Sequence, residues 1–234
     1  MRYTQTGLLY ISPHDDCNAI VDAMLETGYS EDFCVATDFS PEFIARLMEA
    51  GFLVMSAKFA GEKDEEANYI LLPKLHIERS ALFFENLRVK KSIRRYLGSY
   101  ELKADAEFNR VIDRCVEKHG GDWLTPPLVD RVKKIRELSL NQSAAGPCPV
   151  SFALYNRSGE LAAGEFGVVR GRVYTSYSGF YEESNAGTVQ LILTAHYLRD
   201  NGFSFFDLGM PLDYKSDLGA VNISADEFTR LFRG

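Results

Sequence analysis

The sequence predicts an α/β protein, α+β in its ordering, whose second half is a mixed β-sheet with helices packed on it. Strand-like runs between residues 150 and 180 follow one another through short turns. A helical run then covers residues 188–198, and a short buried strand follows it at 203–208. Antiparallel strands joined by turns, then a helix that returns to another strand, indicate a mixed sheet flanked by helices.

The chain is predicted to divide into a small N-terminal domain, residues 1–68, and a larger C-terminal domain, residues 69–234. Within the first domain a helix begins at Ser40, because serine is a common helix cap and Pro41 suits the first turn. The acidic segment 61–66 has the composition of a linker and precedes the predicted boundary.

Residues 69–72 predict a strand, and residues 81–87 predict a helix. Two longer helices follow, over 108–116 and 126–135, because apolar residues recur there at helical spacing. Strands are predicted at 150–155, 161–169 and 173–180, and Ser224 with Glu227 forms a capping box that opens a final helix. This order is similar to the layout of the GNAT acyltransferase fold.

Composition narrows the protein class. With 234 residues and 46% hydrophobic residues, the chain is long enough to bury a substantial core. No apolar run approaches the ~20 residues that span a bilayer, and the N-terminus lacks the apolar stretch of a signal peptide. The four cysteines are scattered without a C-x-x-C pair, which favours a cytoplasmic protein with reduced thiols. No metal site is expected either, since the adjacent residues His14 to Cys17 cannot all face one ion.

Charge is distributed unevenly along the chain. The whole protein carries a net charge of −7, whereas residues 88–103 carry +5. Clustered cations bind nucleic-acid phosphates, although the exposed face of a helix has the same composition. The candidate phosphate-binding residues are Arg88, Lys90, Lys91, Arg94 and Arg95.

Four short motifs carry a resemblance to a known family. Residues 161–168 read LAAGEFGV, residues 179–186 read GFYEESNA, residues 206–209 read FDLG, and residues 217–220 read DLGA. In the same order they resemble the LVGGxYGV strand, FSxxxNAS helix entry, IDxQ strand and SLGA turn of the leucyl/phenylalanyl-tRNA–protein transferase family.

The resemblance extends upstream of these motifs. Residues 37–41, TDFSP, look like the family's GDLSP segment, and residues 75–80, LHIERS, look like its LHISRS segment. Trp123 stands where the family has Trp-Ile. The match is collinear over most of residues 33–234.

The resemblance implies a cytoplasmic aminoacyltransferase. Such an enzyme moves a leucyl or phenylalanyl group from tRNA to the α-amino group of a protein with N-terminal Arg or Lys, which marks that protein for degradation. The implied partners are therefore an aminoacyl-tRNA and a protein or peptide N-terminus, with no membrane contact, no metal and no coenzyme A. A monomer and a GNAT-like C-terminal domain are expected.

Asp207 is the candidate catalytic residue, because it occupies the Asp of the IDxQ motif and aminoacyl transfer needs a base for the attacking amine. The alternative is a strand-end aspartate that binds nearby backbone N–H groups. Gly209 replaces the motif's glutamine and offers only backbone groups, so the family's Asp–Gln relay cannot operate here. Tyr177 replaces a family glutamate and supplies hydrogen bonding or a cation–π contact without charge.

Trp123, Phe166, Phe180 and Leu208 are candidates for an apolar pocket that binds a leucyl or phenylalanyl side chain. Core packing is the alternative for each of them. Asn185 matches the family's NAS motif at a helix entry, where it serves as a cap or as a ligand.

Two other functions remain open. An acyl-CoA-dependent N-acyltransferase would bind pyrophosphate at the helix entry, where Glu182 and Glu183 would repel it. A non-catalytic relative that binds tRNA or a peptide would explain the altered residues Gly209 and Tyr177.

Overall fold

A computed structural model describes residues 2–59, 68–141 and 146–234. The predicted linker at 61–66 lies outside these ranges. Among the described residues, no helix is long and apolar enough to cross a membrane. The elements are β1 (Arg2–Tyr3), β2 (Leu9–Tyr10), α1 (Cys17–Thr27), α2 (Pro41–Glu49), β3 (Leu53–Lys58), β4 (Tyr69–Lys74), β5 (Glu78–Leu82), α3 (Lys91–Leu97), β6 (Tyr100–Ala104), α4 (Phe108–His119), α5 (Pro126–Asn141), β7 (Cys148–Asn156), β8 (Leu161–Arg170), β9 (Val173–Tyr181), α6 (Ala186–Asp200), β10 (Phe205–Asp207), α7 (Asp213–Asp217), β11 (Val221–Ser224) and α8 (Ala225–Arg233).

Spatial contacts divide the chain into two compact units, each assembled from separate stretches of sequence. The first contains the described residues of 1–77, 120–147 and 224–234, and the second contains 78–119 and 148–223. The predicted domain boundary at residue 68 stays a prediction. It was inferred from the composition of the sequence, whereas the two compact units are defined by contacts in space.

The first unit holds two small antiparallel sheets, β1 with β2 and β3 with β4. Helix α2 begins at Pro41 as predicted and buries its apolar face in this unit's core. Ser40 occupies the N-cap position as predicted, but its side chain makes no capping hydrogen bond. Its hydroxyl bonds the carboxylate of Asp38, which draws the side chain away from the helix N–H groups.

The C-terminal helix α8 also belongs to the first unit. The Oγ of Ser224 accepts a hydrogen bond from the backbone N–H of Glu227 at 3.2 Å, which confirms the predicted cap. Two of its aromatic side chains, Phe228 and Phe232, lie over Gly51, whose φ is +98°. A Cβ at Gly51 would approach within 3.3 Å of the Phe228 ring, so this position favours glycine.

The second unit contains a seven-stranded mixed sheet, in the order β11-β5-β10-β9-β8-β7-β6, with only Ser224 of β11 assigned to the other unit. Strands β7, β8 and β9 form an antiparallel meander, as the turn sequences predicted. Strand β10 pairs in parallel with β9 and antiparallel with β5. The predicted fold class, a mixed sheet flanked by helices, is confirmed.

Helices cover both faces of this sheet. Phe152 of β7 contacts Tyr197 of α6 at a centroid distance of 5.4 Å. Phe166 of β8 contacts Phe108 of α4 at 6.4 Å. Phe152 pairs with Glu165, and neighbours on a strand point to opposite faces. Helix α6 therefore packs on the Glu165 face and α4 on the Phe166 face.

The helix predicted at 81–87 is wrong. Residues 78–82 form strand β5, and only a short 3₁₀ turn follows, at Phe84–Asn86. The reason is tertiary: Leu82 and Ala81 pair with Phe206 and Asp207 of β10. Pairing with a distant strand outweighs the weak local preference for helix.

Candidate active site

The candidate site begins where the parallel strands β9 and β10 part. They pair over three positions, from Val173 with Phe205 to Thr175 with Asp207. Strand β10 ends at Asp207, whereas β9 continues to Tyr181. Ligands of α/β sheets commonly bind at the carboxyl ends of parallel strands, where neighbouring connections diverge.

Asp207 lies at this point with no solvent exposure, and its carboxylate is fully engaged. Its Oδ2 accepts hydrogen bonds from Arg79 Nη1 at 2.5 Å and from Thr175 Oγ1 at 2.9 Å. Its Oδ1 accepts the backbone N–H of Gly209 at 3.0 Å. The Arg79 side chain is only 1% exposed, so the two charges form a buried ion pair. Such a pair is tolerated because each charge compensates the other.

Gly209 has a φ of +72° and takes part through its backbone alone. Besides donating its N–H to Asp207, it accepts a hydrogen bond at its carbonyl from the backbone N–H of Ser80 at 2.7 Å. The residue therefore anchors the segment after β10 to β5. The assignment of Gly209 to substrate binding stays a prediction.

Lys215 of α7 fixes the same segment from the other end. Its Nζ donates to the carbonyl of Leu208 at 2.6 Å and to that of Met210 at 2.7 Å. Burial lowers the pKa of Lys215 to about 8, while the negative charges of Asp207 and Glu165 oppose that shift. The buried ammonium group of Lys215 thus holds the loop after Asp207, and it interacts electrostatically with the carboxylates of Asp207 and Glu165.

Glu165 is a second buried carboxylate that acts on Lys215, and its surroundings differ from those of Asp207. It is 2% exposed on β8, and its Oε2 accepts a hydrogen bond from Ser176 Oγ of β9 at 2.9 Å. Its Oε1 is buried without an aligned hydrogen-bond donor. Burial raises the pKa of Glu165 to about 7, and Ser176, the polar side chains of Gln190 and Thr194 on α6, and the charge of Lys215 reduce that rise.

Of the predicted substrate-binding residues, Phe166 and Tyr177 are in contact, with ring centroids 6.0 Å apart. Phe180 is buried beneath the guanidinium of Arg114, which lies 5.6 Å from its ring. Leu208 belongs to a core cluster on the α6 side of the sheet, with Phe206 among its members. Phe166, Phe180 and Leu208 therefore contribute to the core, and their substrate contacts stay predictions.

The remaining two lie elsewhere in the molecule. Trp123 falls in the first compact unit, where its carbonyl accepts the backbone N–H of Ser56 at 2.9 Å. Asn185 stands at the N-cap of α6 in a left-handed conformation with φ of +69°. Its side chain makes no capping hydrogen bond and is exposed. Its assignment as a ligand is therefore still a prediction.

The basic residues lie before and along α3, and all five side chains are exposed. Lys90 forms an ion pair with Asp217 at 2.6 Å. With Arg88 it borders a cleft of about 170 Å³, whose wall also includes Tyr214. Arg95 stacks on the ring of Tyr96, 4.8 Å from its centroid. The two others are Lys91 and Arg94, and the Nε of Arg94 bonds the carbonyl of Val89.

Five residues of this region were not predicted from the sequence. Arg79 lies inside the recognised LHIERS segment, but the strand that carries it was not predicted. Glu165 could have been selected from the sequence, since it is a charged residue within the apolar LAAGEFGV run and glutamate is seldom fully buried unless it is paired. No local pattern distinguished the other three, which are Thr175, Ser176 and Lys215.

Residues 81–233 match the model of the family described as Leucyl/phenylalanyl-tRNA protein transferase. The chain is 28% identical over 222 residues to the leucyl/phenylalanyl-tRNA–protein transferase of Maridesulfovibrio salexigens, covering 93% of this chain and 82% of that protein. It is 28% identical over 155 residues to that of Pseudomonas entomophila, covering 64% and 65%. Among solved structures, L-PGS of Bacillus licheniformis superposes with a TM-score of 0.45 at 12% identity, over 92% of this chain and 77% of that one. The chain belongs to the leucyl/phenylalanyl-tRNA–protein transferase family.

Proposed function

We propose that this protein transfers an aminoacyl group from aminoacyl-tRNA to the N-terminal α-amine of a protein. Leucyl and phenylalanyl groups are the first donors to test. Family membership over residues 81–233 is the observation that carries the proposal. That range includes β10 and the parallel pair at which the candidate site lies. Action as a monomer in the cytoplasm, within an N-degron pathway, is part of the same proposal and rests on the family.

Asp207 is assigned to this site as the residue that sets its shape. Both of its oxygens accept hydrogen bonds, from Arg79 and Thr175 at Oδ2 and from the Gly209 N–H at Oδ1. The catalytic role assigned to Asp207 from its motif is kept as part of the proposal. What it provides is a fixed backbone from Leu208 to Gly209 beside β9. A fixed segment lowers the barrier by holding the neighbouring side chains in position, so that they need no reorganisation during the reaction.

The tRNA is proposed to bind along the basic segment before and in α3. Exposed cations attract phosphates regardless of base sequence, and Lys91 and Arg94 are exposed on the helix itself. The proposed substrate-binding residues of the second unit are Phe166, Tyr177, Phe180, Asn185, Leu208 and Gly209, and Trp123 of the first unit is kept as a separate proposal. Tyr177 and Phe166 form an aromatic pair in which Tyr177 is the more accessible ring, since Phe166 is completely buried.

An acyl-CoA donor is less well supported. Glu182 and Glu183 precede α6, and each has a structural partner: Glu182 pairs with Arg114 at 2.6 Å, and Glu183 accepts from the Tyr100 hydroxyl at 2.8 Å. These contacts hold two carboxylates before the helix N-terminus, where a diphosphate would otherwise bind.

The test is a transfer assay with purified protein, a panel of aminoacyl-tRNAs including leucyl and phenylalanyl forms, and peptides that begin with Arg or Lys. Mass spectrometry of the peptide should show addition of the aminoacyl residue to the N-terminal amine, and an N-acetylated peptide should remain unmodified. Transfer from acetyl-CoA instead of aminoacyl-tRNA would contradict the proposal. Binding of tRNA without transfer from any donor would identify a non-catalytic relative.

A further inference from the structure

Ser176 is the first residue of β9 beyond its pairing with β10. Thr175 is the last paired residue and bonds Asp207, so the next position borders the place where the two strands part. Ser176 is half-buried, and its hydroxyl donates to Glu165 Oε2 at 2.9 Å. A partly accessible hydroxyl is thus joined directly to a buried carboxylate on the adjacent strand.

Core packing alone does not explain Glu165. Glu165 is 2% exposed, and within the described part of the chain its Oε1 has no aligned hydrogen-bond donor. The uncharged side chains of Gln190 and Thr194 interact with the carboxylate but bring no cation to it.

Asp207 bonds Thr175, whose side chain points to the other face of the sheet from Ser176, and it has a guanidinium at 2.5 Å. Lys215 directs its ammonium at two carbonyls and acts on Glu165 only at longer range. A buried carboxylate without a bonded cation is costly, and strongly perturbed groups of this kind cluster at functional sites.

We propose that Ser176 and Glu165 form the proton-accepting dyad of the transfer site, with Ser176 as the group that contacts the attacking amine. This inference rests on the proposed function and names the groups that accept the proton. It assigns to two residues of neighbouring strands the proton-accepting role that Gly209, without a side-chain amide, cannot perform.

The step conserves atoms and electrons. The neutral amine nitrogen attacks the ester carbonyl carbon of the aminoacyl-tRNA, and a C–N bond forms. The proton leaving nitrogen passes to Ser176 Oγ, whose own proton passes to Glu165 Oε2. The bond from the carbonyl carbon to the terminal ribose oxygen breaks, and that oxygen leaves with the electron pair and takes a proton from water. Glu165 then releases its proton to solvent.

Several titratable groups surround the dyad and will affect its pH dependence. Lys215 and Tyr214 of α7, Tyr174 of β9 and Cys115 of α4 all interact electrostatically with Glu165. Helix α6 faces it with uncharged side chains, those of Gln190 and Thr194. Burial raises the pKa of Glu165 to about 7, which suits a base operating near neutral pH.

The experiment compares the wild type with Glu165→Gln, Ser176→Ala and the double variant. For each protein, kcat/KM for transfer is measured from about pH 5.5 to about pH 9 in steps of about half a pH unit, which is fine enough to resolve a single titration. Glu165→Gln should lower kcat/KM by about 10²–10⁴-fold and remove the limb that rises with pH near neutrality. The double variant should be no slower than Glu165→Gln, because the two groups act as one unit. Ser178→Ala on the same strand and Glu160→Gln on the exposed turn before β8 serve as controls and should retain wild-type rates.

Infrared spectroscopy provides an independent measurement that needs no substrate. A protonated-carboxyl band should appear in the wild type as pH falls through neutrality and be absent from Glu165→Gln. If circular dichroism shows that Glu165→Gln does not fold, the dyad is tested by the transfer rate of Ser176→Ala and by the infrared titration of the wild type. A folded Glu165→Gln with wild-type rate and pH profile would overturn the dyad alone. A wild type that transfers from no aminoacyl-tRNA would refute the proposed function, and the dyad's role with it.

Discussion

Removing the carboxylate of Asp207 is expected to destabilise the protein strongly. The Asp207→Asn side chain keeps its shape but must place an NH₂ group where Oδ1 or Oδ2 now accepts hydrogen bonds. At Oδ1 the amide would oppose the N–H of Gly209, and at Oδ2 it would oppose both Arg79 and Thr175. In either orientation, a guanidinium that is 1% exposed loses its counter-charge.

Breaking a buried ion pair from one side costs about 3–5 kcal/mol, because the remaining charge is left uncompensated. For a chain of this size each kcal/mol lowers Tm by about 2–4 °C, so Asp207→Asn should lower Tm by about 6–20 °C. Thermal unfolding followed by circular dichroism measures the shift. Transfer activity should fall together with stability, because the Leu208–Gly209 backbone loses one of its anchors.

The matched control is the double variant Arg79→Met with Asp207→Leu, which removes both charges. It should recover most of the stability lost in either single variant, since buried ion pairs are often replaced by apolar side chains at little cost. Additive losses in the double variant, or an Asp207→Asn protein as stable as the wild type, would refute the reasoning. Either result would mean that the two side chains are not coupled as a buried pair.

Three further predictions follow from local geometry. Gly219→Ala should lower the free energy of unfolding, measured by chemical denaturation, by about 2–4 kcal/mol, because the φ of Gly219 is +98° and the new Cβ would meet the carbonyl of Asn86. The control Gly171→Ala, at a φ of +56° with open space around it, should lower it by about 1 kcal/mol. Lys91→Ala should weaken tRNA binding for all sequences and reduce the slope of log K against log salt concentration by about 1, as titrations at several salt concentrations would show. Glu165→Gln should stabilise by up to about 3 kcal/mol at pH 8 and by almost nothing at pH 4.5, because the raised pKa of Glu165, about 7 in place of 4.5, makes wild-type stability fall as pH rises through that window.

The second half of the fold was predictable because its elements are long and their periodicity is local. Strands β7, β8 and β9 and helix α6 all appear where the apolar pattern and turn residues placed them. Strand β5 was not predictable in this way. Its length is five residues, and its partner β10 lies far along the chain, so no local pattern reports the pairing.

The same limitation applies to the site. Asp207 could be selected because it stands in a recognisable motif, but its partner Arg79 is 128 positions away in the sequence. A guanidinium at that separation can be assigned to a carboxylate only when strand order is known. Lys215 was missed for a related reason: a lysine in a polar loop is expected to be exposed, and here it is 5% exposed.

The altered motif residues do not by themselves indicate loss of activity. Gly209 and Tyr177 remove a side-chain amide and a carboxylate from positions where the family has them, yet buried carboxylates remain on β8 and β10. Asp207 is neutralised by a bonded guanidinium and is suited to fixing the backbone, whereas Glu165 is bonded by uncharged side chains, the Ser176 hydroxyl among them. Two acids in such unequal surroundings are suited to different tasks, one structural and one in proton transfer. The loss of one relay therefore leaves this chain with the means for another, carried by β8 and β9.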